Sequence, residues 1–350
     1  KSVMRHSIRR NHGSRTAGMC VPCPSIPGYV DNSQDVIQER LEVIGDEIWR
    51  DRVGKVIGLK RATVSPQWGR LLRVVLAAHA DEVGMMIKHM DADGLIRCQG
   101  VGRLNPQVLV CPRVLIHGRK PTKDVIGPRR SGEPLPALDE MLIDVGLPRE
   151  EVCEIVEVGD IITFAQELEQ LNDKVYVGRN FDDRIGAYCL LDAMHNLGPT
   201  QVDVYAVSSV QEEVGVRGMP MAAYAIEPDI GLALDGSVTW GAHIPKHDYI
   251  CAMGEGTGIY LIDNLTIGDR RLIRFLIDLC EQHGIAYQRN IGGGTDASAI
   301  QRTKRGALST TIGAPVRYMH STVQLCHEDD IEATVSLLKV FLEHAHKMLP

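Results

Sequence analysis

No stretch of this 350-residue chain approaches the roughly twenty consecutive apolar residues that a membrane-spanning helix needs; the best run, Leu71 to Ala80, is interrupted by Arg73 and His79. The sequence therefore reads as a soluble protein with no membrane partner. Positive charge is also in short supply, with 38 Lys and Arg against 45 Asp and Glu for a formal charge of −7, so nucleic acid is not an expected partner. The nine cysteines are odd in number and scattered through apolar segments, as at Cys189, Cys251 and Cys280, which excludes a secreted disulfide framework and fits a reducing cytoplasm. Cys20 and Cys23 have metal-knuckle spacing but no second CxxC, and read as ordinary thiols. Nucleotide fingerprints are missing. Gly292 to Gly294, leading into Thr295 and Asp296, match neither GxGxxG nor GxxxxGK[ST], and Gly254, Gly256 and Gly258 lack a strand–turn–helix setting; both stretches read as tight loops bordering a cleft. No solenoid repeat or low-complexity segment is apparent.

What is present is a globular composition, 44% apolar and 24% charged, long enough for two domains or for one domain with an insertion. Residues 1–30 carry Lys1, Arg5, Arg9, Arg10 and Arg15 with no acid before Asp31, and read as a flexible basic arm. From Ser33 to Trp49 the positions Val36, Ile37, Leu41, Ile44 and Ile48 recur at helical spacing and predict an opening helix, with Asp31 or Ser33 as its cap. Short apolar runs such as Leu71 to Ala78, Val202 to Val210, Ile230 to Leu234 and Ala307 to Ile312 then alternate with helical patterns at Ile185 to His195, Leu272 to Cys280 and Ile331 to Met348. Strands buried on both faces and alternating with helices predict an α/β fold with a largely parallel sheet. Between Gly84 and Lys174 the texture changes to short alternating runs separated by Gly, Pro and charged turns. That predicts a small β-rich module, residues 84–174, inserted into a catalytic domain made of 31–83 and 175–350.

Chemistry is concentrated where the apolar runs end. Val74 to Ala78 ends at His79 and Asp81, Val204 to Val210 at Glu212 and Glu213, and Ile230 to Leu234 at Asp235; the run ending at Ile312 is followed by His320. Ligands bind outside the carboxyl ends of parallel strands, so these distant residues are expected to converge. Taken singly, an Asp before a helix is an N-cap and an Asp after a strand is a turn residue. Glu212 and Glu213 resist that reading, because adjacent carboxylates repel unless a cation or a shared proton compensates. Together with Asp182, at the head of the helix that begins around Asp183, His79, Glu213, Asp235 and His320 make two imidazoles and three carboxylates. That is more than one ion needs, and it predicts two divalent ions sharing a carboxylate, zinc or cobalt by the mixed N/O ligation.

The strings AAHADEVGMM from Ala77, GRNFDDRIGAY from Gly178, SSVQEEVGVRG from Ser208, ALDGS from Ala233, GGGTDASAIQ from Gly292 and RYMHS from Arg317 occur in this order, and through them the chain resembles the TET-type dinuclear metallo-aminopeptidases. Some of that family carry old labels as glutamyl aminopeptidase, deblocking aminopeptidase or endoglucanase. The resemblance implies that His79, Asp182 and Asp235 hold one metal and Asp182, Glu213 and His320 the other. It implies Glu212 as general base acting on a metal-bridging water, with Asp81 orienting His79. It further implies a zinc-exopeptidase-like α/β/α sandwich interrupted by a PDZ-like or β-barrel dimerisation domain, peptide substrates, and assembly from homodimers into hollow homododecamers. The chain departs from the family pattern in its early Pro27–Gly28–Tyr29 segment, at Asp183 in FDDRIG where Asn is commoner, and after Asp235. Two other functions fit the residues less closely: a metal-stabilised binding or assembly protein without catalysis, and a dinuclear amidohydrolase acting on acylated amino acids or small carbohydrates.

Overall fold

The computed structural model describes residues 23–66, 70–127, 134–239 and 250–348. Most of the basic arm, including Cys20, lies outside the described residues, as do residues 240–249 of the unusual stretch after Asp235.

The apolar runs form one eight-stranded sheet, in spatial order Glu47–Arg50, Val56–Lys60, Val202–Ser209, Leu72–His79, Ile230–Leu234, Leu308–Gly313, Thr257–Ile262 and Tyr287–Ile291. Strand Leu72–His79 shows why its sequence lacks an apolar/polar alternation. Its Leu72, Val74, Leu76 and Ala78 pack with Phe181, Ile185, Leu276, Leu338 and Phe341, whereas Val75 and Ala77 pack with Met219, Ala222, Ala223 and Ile300. Successive side chains point to opposite faces, and helices cover both, so every position but Arg73 is buried. The four central strands run parallel, from Val202–Ser209 through to Leu308–Gly313. Their carboxyl ends therefore lie along one rim, which carries His79 and leads directly into the segments holding Glu212, Glu213 and Asp235.

The opening helix is shorter than its periodicity predicts. It spans Asp31–Ile44, is preceded by Val30 without a side-chain cap, and stops where Gly45 donates its N–H to the Leu41 carbonyl. Residues Glu47–Arg50, including Ile48, instead form an edge strand antiparallel to Val56–Lys60. Pairing satisfies their backbone in a way that the helix, broken at Gly45, does not. A second difference concerns the glycines at 254–258. Gly258 lies within strand Thr257–Ile262, where a Cβ would come 2.3 Å from Ser237 Oγ. Gly254 and Gly256 donate to the two Asp330 carboxylate oxygens, both at 2.7 Å, and so tie this turn to helix Glu328–His344.

Strands Gly84–Met90, Ile96–Val101, Leu142–Asp144, Thr122–Ile126, Arg113–His117 and Ile161–Phe164 close into a barrel in that order. Met85, Ile87, Ile96, Val114, Ile116, Ile143, Ile162 and Phe164 fill a core of its own. One rim touches the rest of the chain near the strand ends, since a Cβ on Gly102 would lie 3.5 Å from Glu213 Cβ. A smaller five-stranded sheet, Glu169–Gln170, Val175–Gly178, Gln324–His327, Pro315–Arg317 and Ser237–Thr239, brings the helix Phe181–His195 and the turn bearing His320 to the same rim.

Candidate metal centre and active site

Four of the predicted ligands meet directly. His79 is the last residue of its strand, and its Nε2 lies 3.1 Å from Asp182 Oδ1. The other oxygen, Asp182 Oδ2, lies 3.1 Å from His320 Nε2, which is also 3.3 Å from Glu213 Oε2. Ligand atoms of His79, Asp182 and Glu213 all fall within 4.8 Å of one another. Asp182 thus stands between two imidazoles with one oxygen toward each. Its own backbone departs from helical geometry, and its N–H donates 2.9 Å to Gln324 Oε1, so the small sheet holds the carboxylate in place. Asp235 is buried at the same rim, but its carboxylate makes no hydrogen bond or ion pair among the described residues.

The His79 ring is oriented through Nδ1, which lies 2.9 Å from the main-chain carbonyl of Asp81. The Asp81 carboxylate is farther, at 3.7 Å, and accepts instead from the backbone N–H groups of Glu212 and Glu213. Glu212 is half-buried, and its carboxylate makes no hydrogen bond or ion pair among the described residues. Sequence reasoning did not single out Asp183, Gln324, Asp296 or Ser209 as parts of this site. Asp183 accepts from the His79 N–H at 3.1 Å and the Gly186 N–H at 2.9 Å, tying the strand end to the helix. Buried Asp296 accepts the Ser209 hydroxyl. The FDD string and the glycine-rich stretch flagged these neighbourhoods, but nothing in the spacing flagged Gln324.

The electrostatics call for cations. Burial pushes the carboxyls of Glu212, Asp235 and Asp183 well above the usual range, and Asp182 raises both Asp235 and Asp183 further. Burial acts the same way on Asp182, but hydrogen bonds with His320 and His79 outweigh it and hold that carboxyl well below the usual range. Burial pulls the His320 ring down, yet Asp182 and Glu213 overcome this and lift it to about 11. With Nδ1 of His79 donating to a carbonyl, something positive, a second ring proton or a metal ion, must lie between Nε2 and the carboxylate oxygens. Glu213 Oε1 is buried without a hydrogen-bond partner. An acceptor-rich set of imidazole nitrogens and carboxylates with an orphaned oxygen fits a divalent metal.

A buried His–carboxylate cluster on the carboxyl rim of a parallel sheet, covered by helices, is the setting of an α/β metal-dependent hydrolase. The M42 glutamyl aminopeptidase family matches residues 63–337, and the chain belongs to this family of metallopeptidases. It is 29% identical to the lysyl aminopeptidase of Pyrococcus furiosus over 344 residues, covering 94% of this chain and 96% of that one. Among solved structures, the aminopeptidase APDkam598 of the archaeon Desulfurococcus kamchatkensis superposes with a TM-score of 0.89 at 32% identity, over 93% of each chain. The TET1 peptidase of Pyrococcus horikoshii, described as assembling into a tetrahedron or a large octahedral shell, superposes at 0.80 with 28% identity, over 91% of this chain and 96% of that one. The chain is accordingly a hydrolase acting on peptides, an aminopeptidase with an α/β peptidase fold and a closed six-stranded barrel. No helix of the described residues is long and apolar enough to cross a membrane.

Proposed function

We propose that this chain is a dinuclear metallo-aminopeptidase of the zinc-exopeptidase type, with Glu212 as its general base. His79, Asp182 and Asp235 would hold one divalent ion, and Asp182, Glu213 and His320 the other, zinc or cobalt by ligand chemistry. The carrying observation is the Asp182 carboxylate, with one oxygen 3.1 Å from each imidazole, the disposition of a carboxylate shared between two ions. When bound, the ions supply Lewis acidity toward the scissile carbonyl and its attacking water. Glu212 is free to act on that water because its carboxylate makes no hydrogen bond or ion pair among the described residues. Burial and the neighbouring acids Asp235 and Asp296 raise its proton affinity, which suits a group that takes a proton from water and passes it to the leaving amine. The acidic rim draws a peptide's α-ammonium, so cleavage starts at the free amino end.

This reading predicts single residues released stepwise from unblocked peptides. Incubating metal-loaded protein with a mixed peptide library and reading the products by mass spectrometry should give N-terminal ladders, with acetylated peptides left intact. Internal cuts, or equal cleavage of acetylated peptides, would overturn it. The same ladders report the preferred first side chain, which family membership leaves open: the family is described as glutamyl, whereas the Pyrococcus furiosus relative is a lysyl aminopeptidase.

Residues 84–174, the inserted module, serve self-association in this proposal, toward a dimer and the larger shells named for the Pyrococcus horikoshii relative. Closure of the barrel removes the free strand edges that would otherwise invite pairing. What remains to be covered is apolar surface: Val110 and Val158 are 57% and 61% exposed, and Leu135 is 51% exposed. Light scattering is expected to show a homo-oligomer that Val110→Asp with Val158→Asp weakens; a strict monomer in the metal-loaded parent refutes the assignment. No described cysteine forms a disulfide, which suits a cytoplasmic setting.

A further inference from the structure

The backbone N–H groups of two consecutive residues converge on one buried carboxylate. Glu212 donates to Asp81 Oδ1 at 3.3 Å and Glu213 to Asp81 Oδ2 at 3.2 Å, and the Asp81 side chain is fully buried. The turn that presents these amides is strained. Gln211 and Val216 both occupy the left-handed region, at φ 58° and 54°, which a β-branched residue such as Val216 adopts only under constraint. The turn closes on itself on the other side: Gly215 and Val216 donate to the Glu212 carbonyl, and Arg217 donates to the Gln211 carbonyl. Among the described residues the Glu212 and Glu213 amides have only Asp81 as acceptor. The His79 ring, meanwhile, is held by the Asp81 main-chain carbonyl at 2.9 Å.

We propose that Asp81 is a positioning residue for the catalytic turn: its carboxylate clamps Glu212 and Glu213 in the strained arrangement that aims the base, while its main-chain carbonyl serves His79. This rests on the reading of Glu212 as general base. A carboxylate accepts with both oxygens, whereas Asn keeps one acceptor and turns an NH2 group toward the second amide, donor against donor. A buried amide left unpaired relaxes the turn, and displacing a catalytic group by about 1 Å costs on the order of 10²-fold in rate. The carbonyl survives any substitution at 81, so the two roles separate experimentally.

The test compares Asp81→Asn, Glu212→Gln and the double variant with the parent, all metal-loaded. Asp81→Asn is expected to lower kcat about 10²-fold, with KM and metal content per chain near the parent's. In the Glu212→Gln background it should lower kcat no further, because misaiming a disabled base has no effect. Backbone hydrogen exchange gives a readout that needs no variant to fold: in the metal-loaded parent the segment 211–214 should exchange slowly, and in Asp81→Asn faster. Unchanged kcat in Asp81→Asn, or fast exchange of that segment in the parent, overturns the clamp. So does loss of metal from Asp81→Asn while the segment 211–214 still exchanges as slowly as in the parent, which would assign the carboxylate to His79. If Glu212→Gln keeps near-parental turnover, the general-base reading itself fails; if Glu212→Gln is inactive and Asp81→Asn fully active, only the clamp fails.

Discussion

Glu212→Gln is expected to lower turnover by about 10³-fold, within the range that general base catalysis supplies, while metal content stays close to that of the parent. Glutamine matches the shape of the side chain and removes its ability to take a proton. The parent carboxylate makes no hydrogen bond or ion pair among the described residues, so no neighbour is left unsatisfied by the change. The backbone N–H of residue 212 still reaches Asp81, and the turn is retained. Steady-state kinetics with chromogenic aminoacyl substrates, alongside metal analysis of the same samples, checks both halves. Near-parental activity would sink the assignment of Glu212.

Asp182→Ala should act differently, losing metal and activity together. In the proposed arrangement Asp182 belongs to both ions, and it faces His79 and His320 with one oxygen each. Removing it also takes from His79 the side-chain hydrogen bond that offsets its burial, and leaves His320 with Glu213 in place of two carboxylate partners. A ligand that binds only the folded state stabilises it by about 2.7 kcal/mol at a hundred times its dissociation constant. Added zinc or cobalt should therefore raise the melting temperature of the parent by several degrees and leave Asp182→Ala nearly unmoved. A variant that retains two ions per chain contradicts the shared-carboxylate arrangement.

Local pattern and final fold part at particular elements of the chain. Strand Leu72–His79 was legible because a strand covered on both faces is apolar almost throughout, and such a run is long enough to stand out. The segment Glu47–Arg50 was not, because Ile44 and Ile48 fall at a spacing that a helix and a bent chain both satisfy; the break at Gly45 and pairing with Val56–Lys60 decide it. Strand Thr257–Ile262 was hidden by Gly258, which is there to let Ser237 approach. At the site, side-chain type was legible and partnership was not. The string HADE places Asp81 near His79 but does not distinguish its carbonyl from its carboxylate. Gln324, polar and unremarkable in the chain, holds the Asp182 N–H from 142 residues away.

The sequence by itself determined the layers and the chemistry of the rim: buried strands alternating with helices require a covered, largely parallel sheet, and strands that end in His, Asp and Glu place those groups where the carboxyl ends meet. These are consequences of local pattern, since burial on two faces and strand direction follow from period and order along the chain. Only the tertiary structure decided which oxygen faces which nitrogen, that Asp182 lies between the two imidazoles, that the inserted strands close into a barrel, and that the Asp81 carboxylate reaches the Glu212–Glu213 turn 131 residues on. Hydrogen-bond partnership depends on distances of a few tenths of an ångström between groups far apart in the chain, and no spacing rule along a sequence carries that information.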